Sequence, residues 1–412
     1  MEKLGTMAAI HPAQETASTP TGALSAWLTL GILFLVQMLV VGGIAYGFGL
    51  LAKPIAAEYG LSRADMNIGL MVLIVGMALF SPIVGRALDR LPGQFVVTGG
   101  ALLFASGCFI VALAPSLQVM IIASFCLVAF GGAALGPLTG STLTARCFGV
   151  GRGRALGIVS VSSSVGGLLV LPAMAWVVEG HGWRAAIAAM GLAVLLVGGG
   201  LGWLVRVPKT VAMHRPSEDA AAGWTIGKAM ATSDFWLIVL AIGLMMAVDQ
   251  ALLASLISYG TDRGFSLQSS TLIVSVISGF AIAGKLAIGS LSDRVDPRWL
   301  FLIVAFLNAA FLAVLMLHPS YPMLLGAAML VGIGFGGTMP LWAALLANRF
   351  GIAAFGTIMG AMIPLQMPLN IIGLRYVGHV YDSSGSYVPA FGVFLALAVI
   401  SGLFILPVRR RR

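Results

Sequence analysis

Three charged residues interrupt otherwise apolar stretches of the sequence: Asp249 beside Gln250, Lys285 after Gly284, and Arg375 after Leu374. A charge in such a stretch is costly in lipid, so each is a functional candidate whose partner has to be named. Lys285 can hold an anion as a point charge. Asp249, among Met245, Met246 and Leu252, suits a proton carrier, with Arg375 as the alternative partner of a static ion pair. The five histidines, His11, His181, His214, His318 and His379, are scattered and mostly near the ends of apolar runs. An enzyme built inside a membrane needs clustered His, Asp or Glu, so no enzyme and no cofactor are expected. Cys108, Cys126 and Cys147 have no ligand-like spacing, which argues against a metal site and against a disulfide framework. Gly279-x-x-x-x-Gly284-Lys285 imitates a phosphate-binding loop, but Leu286 stands where Ser or Thr should ligate Mg²⁺, and no strand precedes it.

The elements that must position these residues are helices in a bilayer. Of the 412 residues 59% are hydrophobic and 9% charged, with a mean hydropathy of +1.03, too little polar surface for a water-soluble chain. The 53 glycines suit helices that approach closely in lipid. At about 20 apolar residues per span, runs fall near 27–52, 66–88, 94–114, 117–143, 155–178 and 184–205, then near 234–259, 268–291, 299–317, 321–347, 354–380 and 388–407. Residues 1–24 are expected to be a disordered cytoplasmic leader, 25–206 a six-helix bundle, 207–228 a cytoplasmic linker, 229–407 a second six-helix bundle and 408–412 a basic cytoplasmic tail.

The net charge of +9 would suit nucleic acid, but the basic residues sort by loop. Arg86, Arg90, Arg146, Arg152, Arg154, Arg206, Lys209, Arg215, Lys228, Arg294, Arg298, Arg349 and Arg409 to Arg412 follow even-numbered spans or lie in the linker and tail. Only Lys53, Arg63, Arg184 and Arg263 follow odd-numbered ones. This asymmetry places both termini in the cytoplasm, makes lipid rather than nucleic acid the partner, and suggests a plasma membrane, the inner membrane of a bacterium.

The chain is also duplicated. Gly85-x-x-x-Asp89-Arg90 recurs 204 positions later as Gly289-x-x-x-Asp293-Arg294, and Glu58-x-Gly60-x-Ser62 as Asp262-x-Gly264-x-Ser266. An offset of 203 relates Glu179-x-x-Gly182 to Asp382-x-x-Gly385, and Arg146 to Arg349. Twelve spans in two sixes, with this turn after spans 2 and 8, resemble the major facilitator superfamily. The resemblance implies an all-α integral membrane fold of two pseudo-symmetric six-helix bundles, a monomer, and transport by rocking the halves about a midplane site. It also makes Gly85, Asp89, Arg90, Gly289, Asp293 and Arg294 cytoplasmic gate elements, each Asp lying near a neighbouring helix N-terminus.

Gly182-Trp183-Arg184, Asp234-Phe235-Trp236 and Tyr381-Asp382-x-x-Gly385-Ser386-Tyr387 resemble the branch of oxalate/formate and monocarboxylate transporters. In that branch Lys285 stands at the position of a basic residue that pairs with the substrate carboxylate; the alternative is a lysine snorkelling to the cytoplasmic interface. Where oxalate transporters carry a second cation, this sequence has Gln366, and Arg375 is about 180° away around the helix. One cavity cation fits one carboxylate. The resemblance therefore implies a small organic anion, a monocarboxylate, moved with a proton, with Lys285, Gln366, Asn370 and Tyr46 as binding residues. An antiporter or facilitator for a dicarboxylate, aromatic acid or drug-like solute is the alternative. Gln37, Thr139, Ser141, Thr142, Ser160, Ser162, Ser163 and Ser164 would line the first half's pathway, though hydroxyls of this kind also bond back to helix carbonyls. Tyr46 is expected as a buried phenol needing a hydrogen-bond partner.

Overall fold

The computed structural model describes residues 20–60, 63–207 and 224–408. The leader through residue 19, the linker between 208 and 223, and the tail arginines 409 to 412 lie outside the described residues.

Apolar spans in a bilayer must satisfy their backbone groups internally, and among the described residues every regular element is helical. Helix α1 runs through Pro20–Val41, a wider π turn at Gly42–Tyr46, and Gly47–Tyr59. Helices α2 (Arg63–Arg90) and α3 (Gly93–Ala112) follow. Helix α4 comprises Leu117–Ala123, a π turn Ser124–Ala129, Phe130–Leu135 and Pro137–Cys147. It breaks at Gly136, whose backbone is extended, because Pro137 has no N–H to continue the ladder. The stretch Arg152–Val194 is divided by Gly182 at φ +82, giving α5 (152–181) and α6 (183–194, continuing through Leu201–Leu204). Beyond a short turn at Ile226–Met230 come α7 (Ser233–Asp262), α8 (Leu267–Leu291), α9 (Pro297–Met316), α10 (Tyr321–Phe350), α11 (Phe355–Ser384) and α12 (Val388–Ile405).

These are the twelve helices of two pseudo-symmetric bundles. The duplication reaches the backbone, since Gly60 and Gly264 take left-handed φ values of +63 and +83, and Gly182 and Gly385 values of +82 and +67. No residue with a Cβ adopts these turns without strain. The first helix extends to Tyr59, well past the run ending near 52, because a glycine rather than the apolar pattern stops it.

Small residues set the approach of neighbouring helices. Gly42 lies against the Gly166 carbonyl and Val170 of α5, and Gly336 and Gly284 bring α10 and α8 into backbone contact. Large apolar side chains such as Leu102, Ile122, Phe306, Leu330 and Leu403 point outward, as expected where the solvent is lipid. The bundles touch mainly along two crossings, α2 with α11 and α5 with α8, with smaller contacts of α4 and α5 on α10 and of α4 on α11.

Candidate functional site

Both crossings are built by glycine and sealed by aspartate at one end of the molecule, the end bearing the arginine-rich loops. Where α2 meets α11, Gly85 and Ser81 lie directly against the backbone of Gly356 and Gly360, and a side chain on Gly85 would run into the Gly356 carbonyl. One turn on, Asp89 accepts hydrogen bonds from the N–H groups of Gly356 (3.1 Å) and Thr357 (2.7 Å) at the start of α11. A carboxylate is favoured there by the exposed amides and the helix dipole. Arg146, from the end of α4, pairs with Asp89 and donates to the Leu88 carbonyl.

Where α5 meets α8, Gly289 packs on Gly153 and Gly157. Asp293 accepts from the N–H groups of Gly153 (2.6 Å) and Arg154 (3.0 Å) at the start of α5. The repeat's counterpart of Arg146, Arg349, is engaged elsewhere. It pairs with Asp234 at the start of α7 and lies 4.9 Å over the Trp224 ring. The side chains of Arg90 and Arg294 are exposed and bond to none of the described residues.

Lys285 sits on α8 one turn above Gly289. Its carbonyl lies at the level of Gly157, where a side chain on that glycine would meet it. Its ammonium donates to Ser163 Oγ at 2.9 Å and Ser164 Oγ at 2.7 Å. Those serines stand about 9–10 Å further along α5 than Gly157, at 1.5 Å per residue, and away from the arginine-rich end. The side chain therefore points into the molecule and across to the other bundle. This is the reverse of the snorkelling direction. The continuous helix Leu267–Leu291 also disposes of the phosphate-loop imitation.

Asp249 is 5% exposed on α7. Thr338 of α10 donates to its Oδ2 at 3.4 Å, and Oδ1 has no partner. Arg375 is exposed on α11 and forms no ion pair with Asp249, so the static pair considered from the sequence is not made in this conformation. Gln366 and Asn370 do share a face of α11, Asn370 donating to the Gln366 carbonyl at 3.1 Å. That face turns toward α7, where the Gln366 side chain lies over Gly243. Neither residue hydrogen-bonds Lys285, and among the described residues Gln366 Nε2 and Asn370 Oδ1 are both buried without partners. Tyr46 corrects an expectation. Its ring packs directly on Gly167, whose lack of a side chain makes room for it, yet the residue is 45% exposed rather than buried.

In α5 and α4 most pathway hydroxyls bond to their own helices: Ser160 to the Leu156 carbonyl, Ser162 to Val159, Ser163 to Ser160 and Thr142 to Leu138. Sequence reasoning named Ser163 and Ser164 without pairing them to Lys285, since nothing local in the chain signals a contact across some 120 residues. It also passed over Trp342 of α10, buried with its indole N–H unpartnered. A cavity of about 250 Å³ in the first bundle, walled by Phe48, Phe104, Met120, Met174 and Met190, is apolar and holds none of the expected site residues.

The family profile described as Major Facilitator Superfamily matches residues 32–374 and 281–412. The chain is similar to human Monocarboxylate transporter 11, with 26% identity over 410 residues, 96% of this chain and 86% of that one. It is similar to the oxalate:formate antiporter of Oxalobacter formigenes, with 24% identity over 359 residues, 84% of this chain and 83% of that one. Among solved structures, FucP, a transporter of the same superfamily in the outward conformation, superposes with a TM-score of 0.70 at 13% identity, covering 94% of this chain and all of that one.

Proposed function

The chain belongs to the major facilitator superfamily, and from that premise we propose that it is a secondary transporter of a small organic anion, a monocarboxylate, working by alternating access and coupled to protons. The arginine-rich end is the cytoplasmic end, and the Asp89 and Asp293 turns are its gates. The observation that carries the anion assignment is Lys285, whose ammonium reaches inward across the bundle boundary and, among the described residues, pairs with no carboxylate. Names of the relatives support the class, one a monocarboxylate transporter and another an oxalate:formate antiporter. The absence of a second cation at Gln366 favours a single carboxylate. Asp249, buried with one hydroxyl donor and no countercharge, is the proposed proton carrier.

Thermal unfolding of the purified full chain with formate, acetate, lactate or oxalate tests the assignment, since a ligand at 100 times its Kd stabilises by about 2.7 kcal/mol. A monocarboxylate should raise the midpoint. Lys285→Ala should abolish the shift and Lys285→Arg should keep part of it, because charge persists while shape changes. Gln366→Lys should move preference toward oxalate. A Lys285→Ala protein that binds the anion as the parent does would remove the assignment. For coupling, Asp249→Asn should lose uphill accumulation in proteoliposomes but keep exchange; retained accumulation excludes Asp249 as the carrier.

A further inference from the structure

The four serines of α5 are not equivalent as donors. Ser160, Ser162 and Ser163 each give their hydroxyl proton to a carbonyl of their own helix. Ser164 accepts from Lys285 and donates to none of the described residues. It thus keeps an uncommitted O–H directly beside the ammonium. Lys285 in turn has three N–H donors, two of them given to Ser163 and Ser164. Two free donors, one from each bundle, therefore lie side by side. Both residues are only partly buried, so a ligand can reach them.

We infer that Ser164 is a substrate-binding residue, donating its hydroxyl to the carboxylate that Lys285 holds. This rests on the reading of Lys285 as an anion site and adds that the ligand is shared between the halves. A carboxylate accepts from both groups without breaking either serine–lysine bond. Ser163 acts through Lys285 instead: its proton is committed to the Ser160 carbonyl, which turns its lone pairs to the ammonium and fixes the lysine's direction. Ser163 is therefore a positioning residue. The arrangement also selects chemistry, since an amide or alcohol of the same shape gains less from a charged donor next to a hydroxyl than a carboxylate does.

The test is equilibrium binding of formate, acetate, lactate and oxalate to the full-length protein, with Ser164→Ala, Ser164→Thr, Ser162→Ala and Lys285→Ala alongside the parent. Loss of a hydrogen bond to a charged group should weaken carboxylate binding about ten- to hundredfold in Ser164→Ala. Ser164→Thr, which keeps the hydroxyl, should bind within a few-fold of the parent, and it answers the question if the alanine variant fails to fold. Ser162→Ala should leave affinity unchanged. Carboxylate binding by Ser164→Ala as tight as, or tighter than, the parent's, with Lys285→Ala inactive, would overturn the role of Ser164 while leaving the lysine site standing. If Lys285→Ala binds normally, or no probe binds the parent, the anion reading fails and this inference with it.

Discussion

The two crossings between the bundles share a design but not its completion. At α2–α11 the gate aspartate has three partners, two amides of the opposing helix and Arg146 of its own bundle. At α5–α8 the equivalent aspartate has the two amides and, among the described residues, no arginine hydrogen-bonded to it: Arg349 has gone to Asp234, and Arg152 of the opposing bundle is only a neighbouring charge. Asp89 therefore keeps a countercharge whether or not the bundles touch. Asp293 finds its partners only when they do. The less buttressed crossing is also the one carrying Lys285, two helical turns from Asp293, with its serines on the facing helix. On the proposed reading one crossing is then the firmer latch, and the candidate ligand site lies on the other, where the closed contact is easier to release.

The largest effect should come from breaking the latch sterically. In Gly85→Leu the new side chain would have to enter the space of the Gly356 backbone carbonyl, which cannot rotate away as a side chain could. Overpacking of this kind typically costs about 1–3 kcal/mol, and against an immovable carbonyl the upper end applies, enough to change the ratio of closed to open gate by about a hundredfold. Spin labels at the exposed positions Arg86 and Ala353 should move apart and transport should stop. Gly157→Leu, facing the Lys285 carbonyl, should do the same at the second crossing and also disturb carboxylate binding. If both variants affect binding equally, the division of labour is wrong.

Removing the acids separates the crossings more finely. Asp89→Ala strands the Arg146 guanidinium, whose side chain is 16% exposed, and should cost about 3–5 kcal/mol of unfolding free energy. Asp293→Ala leaves two helix-terminal amides unpaired and removes a charge near Arg152 that is not hydrogen-bonded to it, and should cost less, about 1–2 kcal/mol. In denaturant or thermal unfolding, Asp89→Ala with Arg146→Ala should recover part of the loss. Equal costs at the two sites would mean that the arginine adds nothing.

Much of this was legible in the chain. Twelve spans follow from hydropathy because lipid permits little else, and the two glycine–aspartate crossings follow from a motif that occurs twice at one offset. The glycine and the aspartate of each turn were readable because one fixes approach and the other seeks a helix N-terminus. What sequence could not supply is the register between helices far apart in the chain. Lys285 meets Ser163 and Ser164 because Gly157 lets α5 rest on the Lys285 backbone, a contact with no local signal. Arg146 and Arg349 were recognised as repeat partners, yet the pattern said nothing of their different acids. The degree of cover over Tyr46 was not legible either: α5 covers one face of the ring at Gly167 and leaves the residue 45% exposed, which depends on a neighbouring helix rather than on the glycines around the tyrosine.

The smallest expected effect isolates fastening within one bundle from latching between two. At the end away from the gates, Glu58 accepts from Trp183 Nε1 at 2.8 Å and from Arg184 at 2.6 Å, while Arg184 also donates to the carbonyls of Ala112 and Ala114. The Arg184 hydrogen bond, and then that of Trp183, hold the Glu58 carboxyl below its ordinary value. A depressed carboxyl contributes stability above its unfolded-state pKa, about 4.3, and that contribution disappears as the pH falls through the lower folded-state value. Both side chains are well exposed, so water and salt screen the pair and the change should be slight. The informative quantity is the difference in melting temperature between the parent and Glu58→Gln along a pH series, because contributions common to both proteins cancel in it. That difference should be small and positive at neutral pH and vanish in acid, while the distance between labels at Arg86 and Ala353 stays the same in both proteins. A label distance that changes with Glu58→Gln would mean that contacts inside one bundle also set the gate, and the contrast between latch and fastening would have to be given up.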